Sequence, residues 1–358
     1  MKSMTYPELI IEELDQLVEP KTSQLGFGKY FTNRMLLREF KHGTWNTGKI
    51  TAYQDLHLPP ATVVFHYGQA IFEGMKAYRH PDGSVKLFRP YLNAKRFNHS
   101  AERLVMPTID ESYFVETIKK LVSLEADWVP SDEGSSLYIR PTMIASEPFL
   151  GVKPSSEYLF FVILSPSGSY FRNGFQPTKI KVETTYIRAA EGGTGNAKAA
   201  ANYAGSMLGS KIAKDEGYDQ VLWLDSKERK YVEEVGSMNI AFVINNEIYS
   251  PKPKGTILDG ITRRSVKTLA EDLNFEFNED PLTIDSVIQS IESGDLTEVF
   301  GIGTAAVISP VGLLNYMDRD YIINDNKIGE ISQQLYDELT GIQYGRISDR
   351  HQWMIDVE

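Results

Sequence analysis

Short apolar runs of two different periods alternate along this chain and none lasts, which confines it to a layered fold of strands and helices. The longest, Leu159–Leu164, is far too short to span a bilayer as a helix. No period of 20–50 residues recurs, so solenoids and propellers are excluded. Ser84–Pro90 reads as a strand and Tyr91–Leu104 as a helix with Leu92, Phe97, Ala101 and Leu104 near one face. A helix is predicted over Asp110–Leu124, a strand over Ser135–Ile139 and a strongly apolar strand over Tyr158–Leu164.

Between Pro166 and Pro177 the text becomes PSGSYFRNGFQP, which has the composition of a linker. With 358 residues in the chain, two domains are expected: residues 1–170, a linker over 171–180, and 181–358. The second half opens with the strand Lys179–Thr184 and the helix-forming stretch Ala197–Asp215. Gln220–Leu224 and Tyr231–Val235 form a hairpin across Asp225–Lys230, and Asn239–Tyr249 a second one turning at Asn245–Asn246. Helix Thr262–Leu273 and the segment Thr297–Ile308 complete a β-rich domain.

Several chemistries can be set aside. Lys and Arg total 37 against 48 Asp and Glu, a net charge of −11, whereas binding a phosphate backbone needs a basic face. Neither a nucleic acid nor a membrane is expected as a partner. The chain has no cysteine, which removes disulfides, thiolate metal sites and any cysteine nucleophile. Its six histidines show no ligand spacing, so no metal is expected. The N-terminal stretch carries Glu8, Glu12, Glu13, Asp15 and Glu19, unlike a basic signal or transit segment, and the expected location is cytoplasmic. GGTGNAKA fails the P-loop pattern, because Ala197 precedes Lys198 and Ala199 stands where Ser or Thr would hold magnesium. Gly301–Ala306 fits a relaxed dinucleotide pattern, but Pro310 and Gly312 forbid the long helix that must follow it. No G-x-S-x-G elbow occurs.

The informative segment is Gly192–Tyr203, GGTGNAKAAANY, in which small residues flank Lys198 on both sides and leave room for a bulky planar group. A lysine near a helix start is most often a solvated side chain. Against that stands the helix dipole, which favours the neutral amine that Schiff-base chemistry needs. Other residue types suit a pyridoxal phosphate pocket. Glu234 in VEEVGSMN is a carboxylate able to keep a pyridine nitrogen protonated, and Glu233 points to the opposite strand face, so one of the two serves. Gly260-Ile261-Thr262 opens a helix and offers N–H groups to an anion, with Arg96 and Thr304 as further phosphate donors. Each has an ordinary structural role as well: a cap, a surface arginine, a tight turn.

Together these segments resemble the branched-chain amino acid aminotransferases, pyridoxal phosphate enzymes of fold type IV, over almost the whole chain from Gly26 to Trp353. The resemblance rests on FHYGQAIFEGMKAYR (Phe65–Arg79), LFRPYLNAKRF (Leu87–Phe97), SLYIRP (Ser136–Pro141), EPFLGVKP (Glu147–Pro154), GGTGNAKAAANYAGS (Gly192–Ser206), EEVGSMN (Glu233–Asn239), LDGITRRSV (Leu258–Val266) and FGIGTAAVISP (Phe300–Pro310). It implies a mixed α/β chain with a smaller N-terminal α/β domain and a larger, β-rich pseudo-barrel C-terminal domain carrying the cofactor lysine. It further implies that Lys198 holds pyridoxal 5'-phosphate as a Schiff base, Tyr203 bonds the ring's phenolic oxygen and Glu234 pairs with the pyridinium nitrogen. Arg96, the amides of Ile261 and Thr262, and Thr304 then bind phosphate. For substrate it implies Tyr67, Phe72, Tyr138 and Arg140, the amides of Thr304 and Ala305 for the α-carboxylate, and Leu150 and Val152 reaching in from a second subunit of a homodimer. The reaction expected from the family is reversible transamination between L-leucine, L-isoleucine or L-valine and 2-oxoglutarate. Its nearest rivals share the lysine and glutamate: a D-amino acid aminotransferase or an aminodeoxychorismate lyase. A nucleotide-dependent oxidoreductase using Gly301–Ala306, or a non-catalytic binding protein on the same fold, are the readings from other classes. One departure is visible. The longer eukaryotic-type relatives carry a redox CxxC pair where this chain has Ala306 and Ser309.

Overall fold

Apolar alternation along Ser136–Ala145, in which every second side chain is buried, sets the first half of the structure. The computed structural model describes residues 8–21, 24–169 and 175–358, so the expected linker at 171–180 lies in part outside them. The structure is mixed α and β with a curled half-barrel sheet. The chain divides into two units: one of residues 1–170, Ala197–Ala200 and Ile342–Glu358, the other of residues 171–196 and Ala201–Gly341.

In the first unit the described residues form a ten-stranded sheet. Its order runs Leu9–Ile11, Gly48–Ala52, Arg34–Lys41, Tyr158–Ser167, Ser136–Ala145, Met75–Arg79, Val85–Phe88 and Met354–Asp356. Two short strands, Thr44–Trp45 and Ala70–Phe72, pair beside this path. The pairings are antiparallel except for that of Leu9–Ile11 with Gly48–Ala52. Helices Pro90–Arg103 and Glu111–Leu124 share a core with the sheet, where Phe97, Phe114 and Phe160 lie with ring centroids 5.3–5.9 Å apart and are almost wholly buried. Leu137, Ile139 and Met143 enter that core. By strand alternation Tyr138, Arg140 and Thr142 stand on the other face.

The strand expected to stop at Ile139 runs on through Pro141 to Ala145. A proline lacks the N–H a ladder needs, but this one sits where the neighbour changes. Met75–Arg79 pairs up to Ile139 and Ala70–Phe72 takes over at Thr142. At the gap the Glu73 amide donates to the Pro141 carbonyl at 2.8 Å.

The second unit is built on a mixed nine-stranded sheet with Thr178–Glu183, Val307–Tyr316, Leu296–Gly303 and Asn239–Ile244 at its middle. Leu222, Val235, Phe242, Val287, Val299 and Leu314 fill its core. Helix Ile261–Asp272 and strand Gln220–Leu224 fall within a residue of their predicted spans. The Gly301–Ala306 stretch ends one strand and turns into the next, with Gly303 opposite Val307, so no helix follows it.

Two segments cluster away from the halves the sequence assigned them to. Ala197–Ala200, with Lys198, belongs to the first unit: the Lys198 amide donates to Ser100 Oγ at 2.9 Å, the Phe72 amide donates to the Lys198 carbonyl at 3.1 Å, and Ala199 bridges Ile71. Ile342–Glu358 returns there as well. The strand Met354–Asp356 pairs with Val85–Phe88, and the Tyr344 hydroxyl donates to the Ser135 carbonyl at 2.9 Å. Among the described residues no helix is long and apolar enough to cross a membrane.

Candidate active site

In the first unit, residues from five separated stretches meet around Phe72. Lys198 Nζ lies 5.0 Å from the Phe72 ring centroid and the Arg140 guanidinium carbon 4.6 Å from it, both within cation–π range. Arg140 Nη2 donates to the Tyr138 hydroxyl at 2.9 Å, while its buried Nε has no hydrogen-bond partner. Gly74 makes room for this, since a Cβ there would lie 2.1 Å from the Tyr138 hydroxyl oxygen. Phe27 meets the Tyr138 ring edge-on at 4.9 Å.

Behind Phe72 stands Glu73, with no solvent exposure. Arg96 grips it in a fork, Nε to Oε1 at 2.7 Å and Nη2 to Oε2 at 2.9 Å, and Asn93 Nδ2 donates to Oε2 at 2.7 Å. Burial opposes ionisation of Glu73, but the charge and hydrogen bonds of Arg96, the charge of Lys198 and the Asn93 bond outweigh it. The carboxyl is held below its ordinary value. The predicted phosphate donor Arg96 thus already has one edge fixed by a buried anion. Tyr67 and Leu150 are also brought together, the Tyr67 hydroxyl donating to the Leu150 carbonyl. Tyr67, Leu150 and Val152 are all exposed, Val152 at 86%.

The second unit holds the other predicted residues. Glu234 is 3% exposed and accepts from the Leu258 amide at 2.9 Å and from Asn239 Nδ2 at 3.3 Å. Arg188 Nε lies 3.0 Å from its Oε2, close enough for an ion pair but not aligned as a hydrogen bond. Glu233, on the other strand face, takes the Thr256 hydroxyl, and its Oε2 is buried without a partner. Burial raises the Glu233 carboxyl despite that bond and the Arg188 charge. The two glutamates are therefore unlike, as alternation predicted.

Helix Ile261–Asp272 begins at Gly260, whose missing Cβ accommodates Asn239 Oδ1. No side chain caps this N-terminus, so its first amides are the kind that receive an anion. Thr304 and Ala305 form the turn just past the pairing of Asn239 with Ile302. Tyr203 lies on the helix Ala200–Asp215. The loop before that helix is pinned where Asn202 Nδ2 donates to the Thr194 carbonyl at 2.8 Å.

Glu73, Arg188, Asn239 and Phe27 were not singled out from sequence. A glutamate in AIFEGMK or an arginine in TYIRAAE has no local pattern to mark it. What marks Glu73 and Arg188 is burial beside an opposite charge, which only the fold supplies.

The amino-transferase class IV family matches residues 70–314 of the chain. A probable branched-chain-amino-acid aminotransferase of Staphylococcus aureus (strain N315) is 52% identical over 341 residues, covering 95% of each chain. Branched-chain-amino-acid aminotransferase 2 of Bacillus subtilis (strain 168) is 49% identical over 340 residues, covering 95% of this chain and 94% of its own. Among solved structures, a T.th. branched-chain amino acid aminotransferase complexed with N-(5'-phosphopyridoxyl)-L-glutamate superposes with a TM-score of 0.73 at 26% identity. That match covers 90% of this chain and 98% of the other. With buried charges arranged as described and likeness of this extent, the chain belongs to the branched-chain-amino-acid aminotransferases of the amino-transferase class IV family.

Proposed function

We propose that this enzyme moves the amino group reversibly between L-leucine, L-isoleucine or L-valine and 2-oxoglutarate, with pyridoxal 5'-phosphate as carrier and Lys198 as its point of attachment. The observation that carries the reading is Lys198 itself, an amine set beside the face of Phe72 and the buried carboxylate of Glu73. The donor set suits such a cofactor: Glu234 for a ring nitrogen, the uncapped helix start at Ile261 and Thr262 with Arg96 and Thr304 for a phosphate, and Tyr203 for a phenolic oxygen. Bound there, pyridoxal phosphate supplies a carbon that carries the amino nitrogen and an electron sink for the bond broken at Cα.

The residues of the chain do the rest. Lys198 Nζ would take the proton from Cα of the amino acid and later give it back, acting in turn as base and acid. Glu234, beside Arg188 and accepting from two N–H donors, would face the ring nitrogen of the bound cofactor and keep it protonated. The amides of Thr304 and Ala305 receive the α-carboxylate, and Phe72 gives the aliphatic side chain an apolar wall. Leu150 and Val152 serve a second subunit of a homodimer in this reading, while Tyr67 lines the pocket of its own chain. The support for the second subunit is the exposure of Leu150 and Val152 on an apolar surface beside Phe65 and Phe149.

Two measurements test the reading. Holoenzyme should show a visible absorption band that shifts on adding L-valine, and should form glutamate from L-leucine and 2-oxoglutarate but not with D-alanine as donor. Glutamate from D-alanine in place of L-leucine would overturn it. Arg140→Ala removes a charge-assisted hydrogen bond of the kind that carries about 1.5–3 kcal/mol. The kcat/KM for 2-oxoglutarate should then fall at least ~10-fold more than that for L-leucine. Equal losses would remove Arg140 from carboxylate recognition.

A further inference from the structure

The adjacent glutamates Glu233 and Glu234 hold one loop at two points. Glu233 Oε1 accepts the hydroxyl of Thr256, and Glu234 Oε1 accepts the amide of Leu258 at 2.9 Å. Arg188 ties the same loop from the other side. Its Nη2 donates to the Thr256 carbonyl and, at 3.3 Å, to the Gly195 carbonyl, while its Nε lies 3.0 Å from Glu234 Oε2. All of these residues belong to the second unit. Gly195 and Thr256 approach so closely that a Cβ on Gly195 would lie 2.7 Å from Thr256 Cα, which only glycine permits.

Neutralising Glu234 does not require this much structure. The Arg188 and Glu234 side chains are 8% and 4% exposed, and two opposite charges so little screened attract whatever their orientation. Direction is what the rest of the arrangement supplies. A guanidinium bonded to a carboxylate alone swings with it, whereas one tied to two backbone carbonyls offers that carboxylate a fixed edge. Thr256 connects the parts: its carbonyl takes Arg188, its hydroxyl is taken by Glu233, and two residues on the Leu258 amide reaches Glu234. Without the hydroxyl, the loop is released from Glu233, and the carbonyl that fixes Arg188 is released with it.

We propose that Thr256, held by Glu233, is a positioning residue: through Arg188 it aims Glu234 at the ring nitrogen of the cofactor. The inference rests on the role given to Glu234 above. Thr256 and Glu233 touch no reacting atom and act only through Arg188 and Glu234.

The test titrates the full-length chain, stripped of cofactor, with pyridoxal 5'-phosphate and with its 1-deaza analogue, which carries a C–H in place of the ring nitrogen and gives Glu234 nothing to hold. Thr256→Val keeps the shape and loses the hydroxyl. Its dissociation constant for pyridoxal phosphate should rise about fivefold, the effect of one buried hydrogen bond, while that for the deaza analogue changes less than about twofold. Thr256→Ser should bind both ligands as wild type does. Arg188→Gln, which removes a charged partner, should weaken pyridoxal phosphate at least about tenfold more than the analogue. In a Glu234→Gln background Thr256→Val should add no further loss, because the two act in series. Equal weakening of both ligands in Thr256→Val, or unchanged affinity for pyridoxal phosphate, overturns the proposal and leaves Thr256 a clamp between two loops. Wild type that binds the two ligands equally would instead overturn Glu234 as the partner of the ring nitrogen, and the proposal with it.

Discussion

Lys198→Ala should lower turnover of both amino acid half-reactions by at least ~10³-fold, the upper range for loss of a positioned acid–base group, with the loss of cofactor attachment added to it. The fold should survive, because the segment is anchored by backbone groups. The Lys198 amide meets Ser100 Oγ and the Lys198 carbonyl accepts from Phe72, and neither bond uses the side chain. Lys198→Arg separates two explanations. If a positive charge beside Phe72 and Glu73 were all that mattered, arginine would restore much of the rate. A guanidinium does not deprotonate, so it cannot shuttle a proton and should be as inactive as alanine. The competing amine is Lys76, also in the first unit and pushed down to about 8 by burial. Borohydride fixation of the cofactor followed by trypsin decides between them. Label on Lys198 blocks cleavage there and yields a peptide from Ala189 to Lys211, whereas label on Lys76 yields Ile50 to Arg79. The second peptide would overturn the assignment of Lys198.

Lys198 stands out as a candidate in the sequence because its neighbours are so unusual. Small residues on both sides of a single lysine leave a signature in one dimension, and so do a helix opened by Gly260 and a carboxylate in an apolar strand at Glu234. Regular elements with strong periodicity were legible for the same reason: Pro90–Arg103 and Glu111–Leu124 begin and end within a residue of expectation. Pairing between distant segments leaves no such mark. The strand continuing through Pro141 depends on a change of neighbour some 70 residues earlier in the chain. The return of Met354–Asp356 to the first unit is a three-residue pairing with nothing in its own composition to announce it. The same limit hid the ion pairs. Glu73 and Arg96 lie 23 positions apart and Arg188 and Glu234 farther still, and each becomes visible only once burial removes water from between them.

Glu73→Ala should be the most destabilising single change at the site. It removes a carboxylate with no exposure and leaves the Arg96 guanidinium, 10% exposed, without the partner that fixes its edge. Breaking a buried pair from one side costs about 3–5 kcal/mol, or roughly 6–20 °C in melting temperature for a unit of this size. Cofactor retention should fall with it, since the donor proposed for the phosphate loses its orientation. Glu73→Gln keeps the shape and loses the charge, and it exposes the electrostatic part through pH. Arg96 and Lys198 hold the Glu73 carboxyl below its ordinary value near 4.5 in the folded protein. The unfolded chain therefore takes up its proton first as pH falls. The stability this group contributes is complete above that ordinary value and is lost as pH drops through the depressed one. Glutamine does not titrate, so the gap in stability between wild type and Glu73→Gln should be constant from neutral pH down to about 5 and close below ~4.5. Denaturation midpoints across pH 3–7 measure it. A gap that persists unchanged at pH 3 would mean that Glu73 holds Arg96 through shape and hydrogen bonding alone, and that its charge does not bear on the site.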